Sequence, residues 1–331
     1  MNEPSVDIVV LIPVYNDWDA AALLLADLGA KLPDRYGRAR VLLVDDGSVQ
    51  SAPDLGESPA FGRFERIDVL ELRRNLGHQR ALAIGLCHVE ANLPCRTVVV
   101  MDGDGEDAPA DVARLLERMS LETGPRIVFA ERAKRSESLV FRAFYALYRW
   151  LHLLLTGIAV RVGNFSVVPY PLLRRLVAVS ELWNHYAAAI FKARLPFVTV
   201  PTQRATRLAG RSRMNFIALV THGLSAISVF GDRVGVRLLV AVCALFGLVL
   251  GGLVATVAVK FATTVAIPGW ATTAAGLLIV LMTQLLMLVA VFVFVVLSGR
   301  EGSTFLPLRD YHYFIAGGKN LFERTTERET T

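Results

Sequence analysis

The stretch TVVVMDGDGEDAP, residues 97–109, decides the architecture. Thr97 to Met101 is a short β-rich run that reads as a buried strand. It ends at once on Asp102-Gly103-Asp104, with Glu106 two positions further on. Three hard oxygen ligands at alternate positions just beyond a strand suit Mg²⁺ or Mn²⁺ better than zinc, and a diphosphate could complete the shell. A lone acidic loop is as a rule a solvated turn; what argues for a metal here is the strand end that carries it.

Working outward, DIVVLIP at 7–13 and RVLLV at 40–44 are two further β-rich runs, and helical stretches fill 18–32 and 79–90. Strands that alternate with helices imply an α/β domain with a mostly parallel sheet. In such sheets ligands bind beyond the carboxyl ends of the strands. Each strand here ends in suitable residues: Tyr15-Asn16-Asp17, Asp45-Asp46-Gly47-Ser48 and Asp102-Gly103-Asp104. Neither GxGxxG nor GxxxxGK[ST] occurs, which argues against dinucleotide oxidoreductases and P-loop NTPases.

A hydrophobic fraction of 53% is high for a soluble protein, and the excess is concentrated after Arg237. Residues 238–259 carry no charge and are long enough to cross a bilayer; so are residues 271–298, with a turn around Pro268, Gly269 and Trp270 between them. A buried core hairpin is the alternative that these lengths disfavour. Arg233, Arg237 and Arg300 flank the hairpin on one side and Lys260 alone lies near its turn, so the positive-inside rule puts both termini in the cytoplasm. The expected organisation is a soluble domain over 1–231, a membrane hairpin over 232–299 and a cytoplasmic tail over 300–331. Gly247 and Gly251 form a GxxxG that serves packing either within the hairpin or between subunits.

Phe141, Phe144, Tyr145, Tyr148, Trp150, Leu151 and Leu154 are interleaved with Arg142, Arg149 and His152. A helix of that composition, about 139–157, suits the headgroup region of a membrane, and about 214–230 offers a second; a core helix is the other reading. The net charge of +5 fits anionic lipid or phosphorylated substrates at least as well as nucleic acid, and fits an ordinary basic surface equally. Three cysteines, Cys87, Cys95 and Cys243, offer neither a disulfide framework nor a CxxC pair, in keeping with a reducing compartment. Residues 1–7 lack a basic residue and Pro13 breaks the apolar run that follows, so no secretory signal is expected.

VLIPVYND (10–17), VLLVDDGS (41–48), NLGHQRALAIGL (75–86) and VVVMDGDGEDAP (98–109) resemble, in order and spacing, the family 2 glycosyltransferases of the GT-A fold. ERAKRSES (131–138), GNFSVVP (163–169) and RLAGRSRMNF (207–216), followed by two spans, resemble the polyprenyl-phosphate glycosyltransferases of the dolichol-phosphate-mannose synthase and bacterial GtrB type. The resemblance implies that Pro13, Tyr15, Asp17 and Asp46 line the nucleotide pocket. Asp45 either joins them or holds the loop, with Gly47 in its tight turn. Asp102, Asp104 and Glu106 would bind the divalent ion against the donor diphosphate, with Gly103 between them; the commoner Asp-Ala-Asp-x-Gln pattern has neither this glycine nor this glutamate. Arg132, Arg135 and Arg142 would grip the donor and acceptor phosphates, and Arg207, Ser212 and Arg213 would close over them. Asp104, Arg132 and Arg135 are thus expected to carry catalysis.

By the same resemblance the reaction is an inverting transfer of a sugar, UDP-glucose being the first donor to consider, to undecaprenyl phosphate on the cytoplasmic leaflet. GDP-mannose and UDP-N-acetylhexosamines are the other donors. No nucleic acid is an expected partner; a homo-oligomer, tetrameric as in the family, and a downstream flippase are. No catalytic base is assigned, because Asn164 stands where many relatives carry Asp and an ionised phosphate needs none. A processive polysaccharide synthase is a rival, but the Gln of its Gln-x-x-Arg-Trp motif is missing before Arg149-Trp150 and two spans are too few for a channel. A nucleotide-sugar sensor is a second rival, disfavoured by Asp102 and Asp104.

Overall fold

The structure is a computed structural model that describes residues 6–56, 58–132, 139–158, 162–210, 216–262, 269–301 and 305–324. In chain order these form β1 (Val6–Val14), α1 (Trp18–Lys31), β2 (Ala39–Asp45), β3 (Phe64–Leu72), α2 (His78–Asn92), β4 (Cys95–Val100), α3 (Pro109–Ser120) and β5 (Ile127–Arg132). There follow α4 (Leu139–Thr156), β6 (Ser166–Pro169), α5 (Tyr170–Leu176), α6 (Tyr186–Lys192), β7 (Phe197–Thr202), α7 (Phe216–Ser228), α8 (Gly231–Ala262), α9 (Trp270–Glu301) and β8 (Ile315–Glu323). Outside the hairpin, each strand and helix expected from sequence begins and ends within two residues of an observed one; α8 starts at Gly231, ahead of the expected 238, and α9 ends at Glu301, beyond the expected 298.

The eight strands run β7-β5-β6-β4-β1-β2-β3-β8. β1 is parallel to β2 and β4, β2 to β3, and β5 to β7; β6 and β8 run antiparallel to their neighbours. Side chains alternate across a strand, so Val9 and Leu11 of β1 pack on one face with α2, α5 and α6. Val10 and Ile12 pack on the other with α1 and α3. Both faces are covered, which is why β1, β2 and β4 are apolar without alternation. Polar residues are left for the strand ends, and that is where the candidate site lies.

The chain divides into two compact units. Met1–Phe144, Val160–Val229 and Thr304–Thr331 make the first; Tyr145–Ala159 and Phe230–Ser303 make the second. Residues 305–324, set apart as a tail on sequence grounds, therefore belong to the α/β body. β8 pairs with β3 from Leu72↔Ile315 to Arg66↔Glu323 and forms the sheet edge. Aromatic packing fastens this return: Trp183 lies 4.1 Å from Phe305 and 5.1 Å from Phe314 by ring centroids, with Arg80 over its ring. With Gly317, Gly318, Lys319 and Asn320 at its centre, the segment has weak strand propensity of its own and takes its conformation from β3.

In the second unit α8 and α9, 32 residues each, are both long and apolar enough to cross a membrane. At 1.5 Å per residue each measures about 48 Å, so the helices run past the expected spans into the interfacial zones. Leu248, Leu286 and Phe294 are exposed, as lipid-facing side chains of a span would be. A Cβ at Gly247 or Gly251 would meet nothing within 4 Å, whereas one at Gly252 would touch Leu278 at 4.0 Å, so the GxxxG is not what packs the hairpin. Within the same unit, Arg237 donates to the carbonyls of Leu153 and Leu154 at the end of α4, where a cation complements the helix dipole. Trp150, Leu153 and Leu154 are exposed on that helix while His152 and Thr156 are buried.

Candidate active site

Asn16 turns the chain out of β1 with a left-handed φ of 50°, a conformation Asn tolerates better than most residues. Its N–H donates to Ser48 Oγ (2.8 Å) and its Oδ1 accepts from the Val49 N–H (2.7 Å), while Trp18 Nε1 donates to the Gln50 carbonyl (3.0 Å). The loops after β1 and β2 are thereby laced into one rim. Tyr15 is exposed on it and Pro13 is buried in the strand end below.

Asp45 accepts the Ser48 N–H (2.9 Å), which closes the turn and gives it a loop-holding contact. Asp46 is almost wholly buried. Its Oδ1 accepts from the Leu76 N–H (2.7 Å) and its Oδ2 from the Gly77 N–H (2.9 Å). Burial pushes its carboxyl above the ordinary range, against the pull of those two amides and of His78. Asp46, expected to meet the base or ribose, is in this geometry the clamp that sets where α2 starts, and so where His78 stands.

The acidic loop after β4 is held by a residue that sequence reasoning passed over: Asp107, buried, accepts the Asp102 N–H (3.0 Å). Gly103 lets the loop lie against β1, since a Cβ there would stand 3.1 Å from the Pro13 carbonyl oxygen and 3.2 Å from Ile12. Gly105 has φ +82°, and a Cβ there would overlap Leu208. Residues 204–210 fold over the loop in consequence. The Leu208 N–H donates to the Asp104 carbonyl and the Ala205 N–H to that of Glu106, each at 3.0 Å.

Arginines of this covering segment answer the acidic side chains. Arg207 donates from Nη1 to Asp104 Oδ2 (3.1 Å), from Nη2 to Asp17 Oδ2, and from Nε to the Ala209 carbonyl. Asp17 occupies the N-cap position of α1 without capping it, because its carboxylate is turned to Arg207. Glu106 pairs with Arg204. Burial pushes Asp104 above the ordinary carboxylate range, against the Glu106 N–H; the charges of Asp102 and Glu106 add to the rise and Arg207 opposes it.

Among the described residues no three His, Cys, Asp or Glu side chains converge on an ion-sized point. The donor set nevertheless suits a hard cation that a substrate helps to bind: Mg²⁺ typically takes one or two carboxylates and fills its shell with water and phosphate oxygen. Asp102 and Asp104 meet that description; Asp104 also accepts from Arg207, and Glu106, expected as a third ligand, pairs with Arg204. Arg204 and Glu106 are partly exposed, so Arg204→Ala is expected to change unfolding stability by less than about 1 kcal/mol in a thermal melt.

A second group gathers at the end of β4, of which the sequence singled out Asp102 and Asn164 but not His78. His78 Nε2 is 3.2 Å from Asp102 Oδ1 and 2.9 Å from Asn164 Nδ2. Desolvation lowers the His78 pKa, but Asp102, Asp46 and Asp107 together outweigh it and leave the group above its ordinary value. Of the arginines expected at the phosphates, Arg132 ends β5 and Arg142 lies on α4, with their side chains outside the described residues. Arg135, Ser212 and Arg213 lie outside the described residues altogether.

A mostly parallel sheet between helical layers, with acidic strand ends on one rim, is a GT-A glycosyltransferase architecture, and two helices long and apolar enough to cross a membrane follow it in sequence. Residues 9–169 match the model described as "Glycosyl transferase family 2", so the chain carries a family 2 glycosyltransferase domain and is a transferase. It is 24% identical over 285 residues to an undecaprenyl-phosphate 4-deoxy-4-formamido-L-arabinose transferase of Klebsiella pneumoniae (strain 342), covering 81% of this chain and 80% of that one. To the protein of the same name from Edwardsiella ictaluri it is 26% identical over 245 residues, 68% of this chain and 71% of the relative. Among solved structures its fold is similar to that of glucosyl-3-phosphoglycerate synthase from Mycobacterium tuberculosis in complex with Mn²⁺, UDP and phosphoglyceric acid. The TM-score is 0.50 and the identity 15%, over 70% of this chain and 79% of that one.

Proposed function

We propose that this chain transfers a sugar from a nucleotide-sugar donor to the phosphate of undecaprenyl phosphate at the cytoplasmic face of a membrane. The observation that carries the reading is the union, in one chain, of a glycosyltransferase rim around Asp102 and Asp104 with two helices of membrane-crossing length. The named relatives, aligned over most of their own length, act on the same lipid by their names. The donor's nucleotide lies at the ends of β1 and β2, near Tyr15, Asp17 and Asp45. Arg132, Arg135, Arg142 and Arg213 grip the phosphates, a role that suits guanidinium forks, and the Ser212 hydroxyl donates beside them.

The lipid phosphate oxygen attacks the anomeric carbon, the bond from that carbon to the donor's diphosphate oxygen breaks, and the nucleoside diphosphate leaves with the electron pair. The configuration inverts. A phosphomonoester with a second pKa of about 6 is ionised at neutral pH, so the step needs no protein base. Asp102 and Asp104 would hold a divalent cation, which would supply positive charge against the departing diphosphate. Arg207 is placed to exchange its carboxylate partners for phosphate oxygens.

The test is turnover of the full-length chain with undecaprenyl phosphate and Mg²⁺ or Mn²⁺, reading lipid-linked product by mass. The donors are UDP-glucose, GDP-mannose, UDP-N-acetylhexosamines and a nucleotide-linked 4-deoxy-4-formamido-L-arabinose. No lipid-linked product with any of them sinks the reading. Topology has its own check, because Cys87 and Cys95 are buried and burial pushes the Cys95 thiol up to about 12; only Cys243 need be replaced. In that background an impermeant thiol reagent applied to intact cells is expected to label Gly269→Cys and to spare Tyr313→Cys. The reverse pattern overturns the cytoplasmic orientation.

A further inference from the structure

Asn164 enters a chain of amides whose direction can be deduced. The Tyr186 backbone N–H can only donate, and it lies 2.7 Å from Gln79 Oε1. The other end of Gln79 is therefore its NH₂, which donates to Asn164 Oδ1 at 3.1 Å. Asn164 in turn must present its own NH₂ at the far end, 2.9 Å from His78 Nε2. Reversing the Gln79 amide would set donor against donor at the buried Tyr186 N–H, and reversing Asn164 alone would set donor against donor at Gln79. Ser166 secures the same corner, its Oγ donating to the Asn164 carbonyl (2.8 Å) and meeting the Tyr186 hydroxyl (2.7 Å).

Register puts this donor beside the acidic loop. β6 is antiparallel to β4 with Val100 opposite Ser166, so Asn164, two residues before Ser166, stands across from Asp102, two residues after Val100. The ends of β1 and β2, where the nucleotide is proposed to lie, are on the opposite side of β4. Asn164 Nδ2 carries two hydrogens, and His78 can take at most one. A ring protonated at Nε2 takes neither and turns its own hydrogen to Asp102 Oδ1, 3.2 Å away. In both cases the side chain offers hydrogen to whatever lies over Asp102 and His78.

We propose that Asn164 is a positioning residue that donates a hydrogen bond to the acceptor phosphate, selecting a nucleophile that arrives already ionised over a neutral hydroxyl. The inference rests on the transferase reading above. An amide donor attracts an anionic oxygen and removes no proton from a hydroxyl; a carboxylate in its place would repel the phosphate and add to the charge of Asp102.

The two variants that test it rank oppositely for a structural and a phosphate-facing role. Asn164→Asp is isosteric and can still accept from Gln79, so a structural role makes it milder than Asn164→Ala. A phosphate-facing role makes it worse. With undecaprenyl phosphate in nanodiscs and the donor that the wild type turns over, the acceptor KM is expected to rise about tenfold or more in Asn164→Asp and about threefold in Asn164→Ala. The donor KM should stay within about twofold. Asn164→Asp milder than Asn164→Ala, or a donor KM that shifts as far as the acceptor KM, overturns the proposal. If Asn164→Asp does not fold, Asn164→Ser decides: its hydroxyl can donate, so an acceptor KM nearer wild type than that of Asn164→Ala supports the assignment and a larger one refutes it. A wild type without turnover would instead refute the transferase reading.

Discussion

Asp104→Asn is expected to abolish sugar transfer while leaving the fold intact. The substitution keeps the volume and one oxygen but removes the charge that would hold a cation against the donor diphosphate, and loss of one such electrostatic element typically costs about 10²–10³ in rate. Stability should not fall with it. A carboxyl whose folded pKa is raised favours the fold below its unfolded pKa and loses that contribution as pH rises through the folded value; ionised Asp104 is therefore a burden at neutral pH. Its removal leaves Arg207 still paired with Asp17. A melting temperature at or slightly above wild type, with product below a hundredth of the wild-type rate, is the expected pair of results. Transfer at the wild-type rate under saturating metal would remove Asp104 from the mechanism, and a large drop in melting temperature would make the loop a structural turn.

Asp46→Ala should fail in the opposite way, through the fold. It strips the acceptor from two N–H groups, that of Leu76 buried and that of Gly77 half-buried, each costing about 1–3 kcal/mol when left unmet, so a loss of roughly 3 kcal/mol is expected in a denaturant titration of the detergent-solubilised chain. Asp46→Asn, which retains one oxygen, should lose less. Because the clamp sets the start of α2, transfer should fall in both variants in step with the order of the turn, and added nucleotide sugar should not restore it. A loss below about 0.5 kcal/mol for Asp46→Ala would free Asp46 for the ligand-facing role its position first suggested.

Which parts of this site can be read in a sequence follows from how local their causes are. Tyr15, Asp17, Asp45 and Asp102 stand at the ends of apolar strands, and strand ends are visible as breaks in a hydrophobic pattern. The hairpin was legible for the same reason, from uncharged length alone. Asp46 was legible as a strand-end carboxylate but not as a clamp, since its partners Leu76 and Gly77 lie on another loop. The Gln79–Asn164 pair spans 85 residues and His78–Asn164 spans 86, so no window of sequence contains either. The motif NLGHQRALAIGL did contain His78 and Gln79; the tight helix start after Gly77 was a signal that their side chains open onto the strand ends. Arg204 and Arg207 were visible as basic residues, but not that one would draw Glu106 aside and the other would bridge Asp17 to Asp104.

The last strand gives the membrane segment an unexpected grammatical place: it is a parenthesis inside the α/β body, opened after Val229 and closed before Thr304. A ribosome releases β3 long before β8, and the residues of both spans emerge in the interval, so the edge of the sheet stays open until the hairpin has been made. An unpaired β3 is a template for wrong partners, and the time it remains so depends on how promptly the spans leave the aqueous phase. Insertion of the two helices thus becomes a timing step in the folding of the α/β body. A soluble version cannot be obtained by stopping translation ahead of the hairpin; it has to join residue 229 to residue 304 through a linker, so that β8 still arrives.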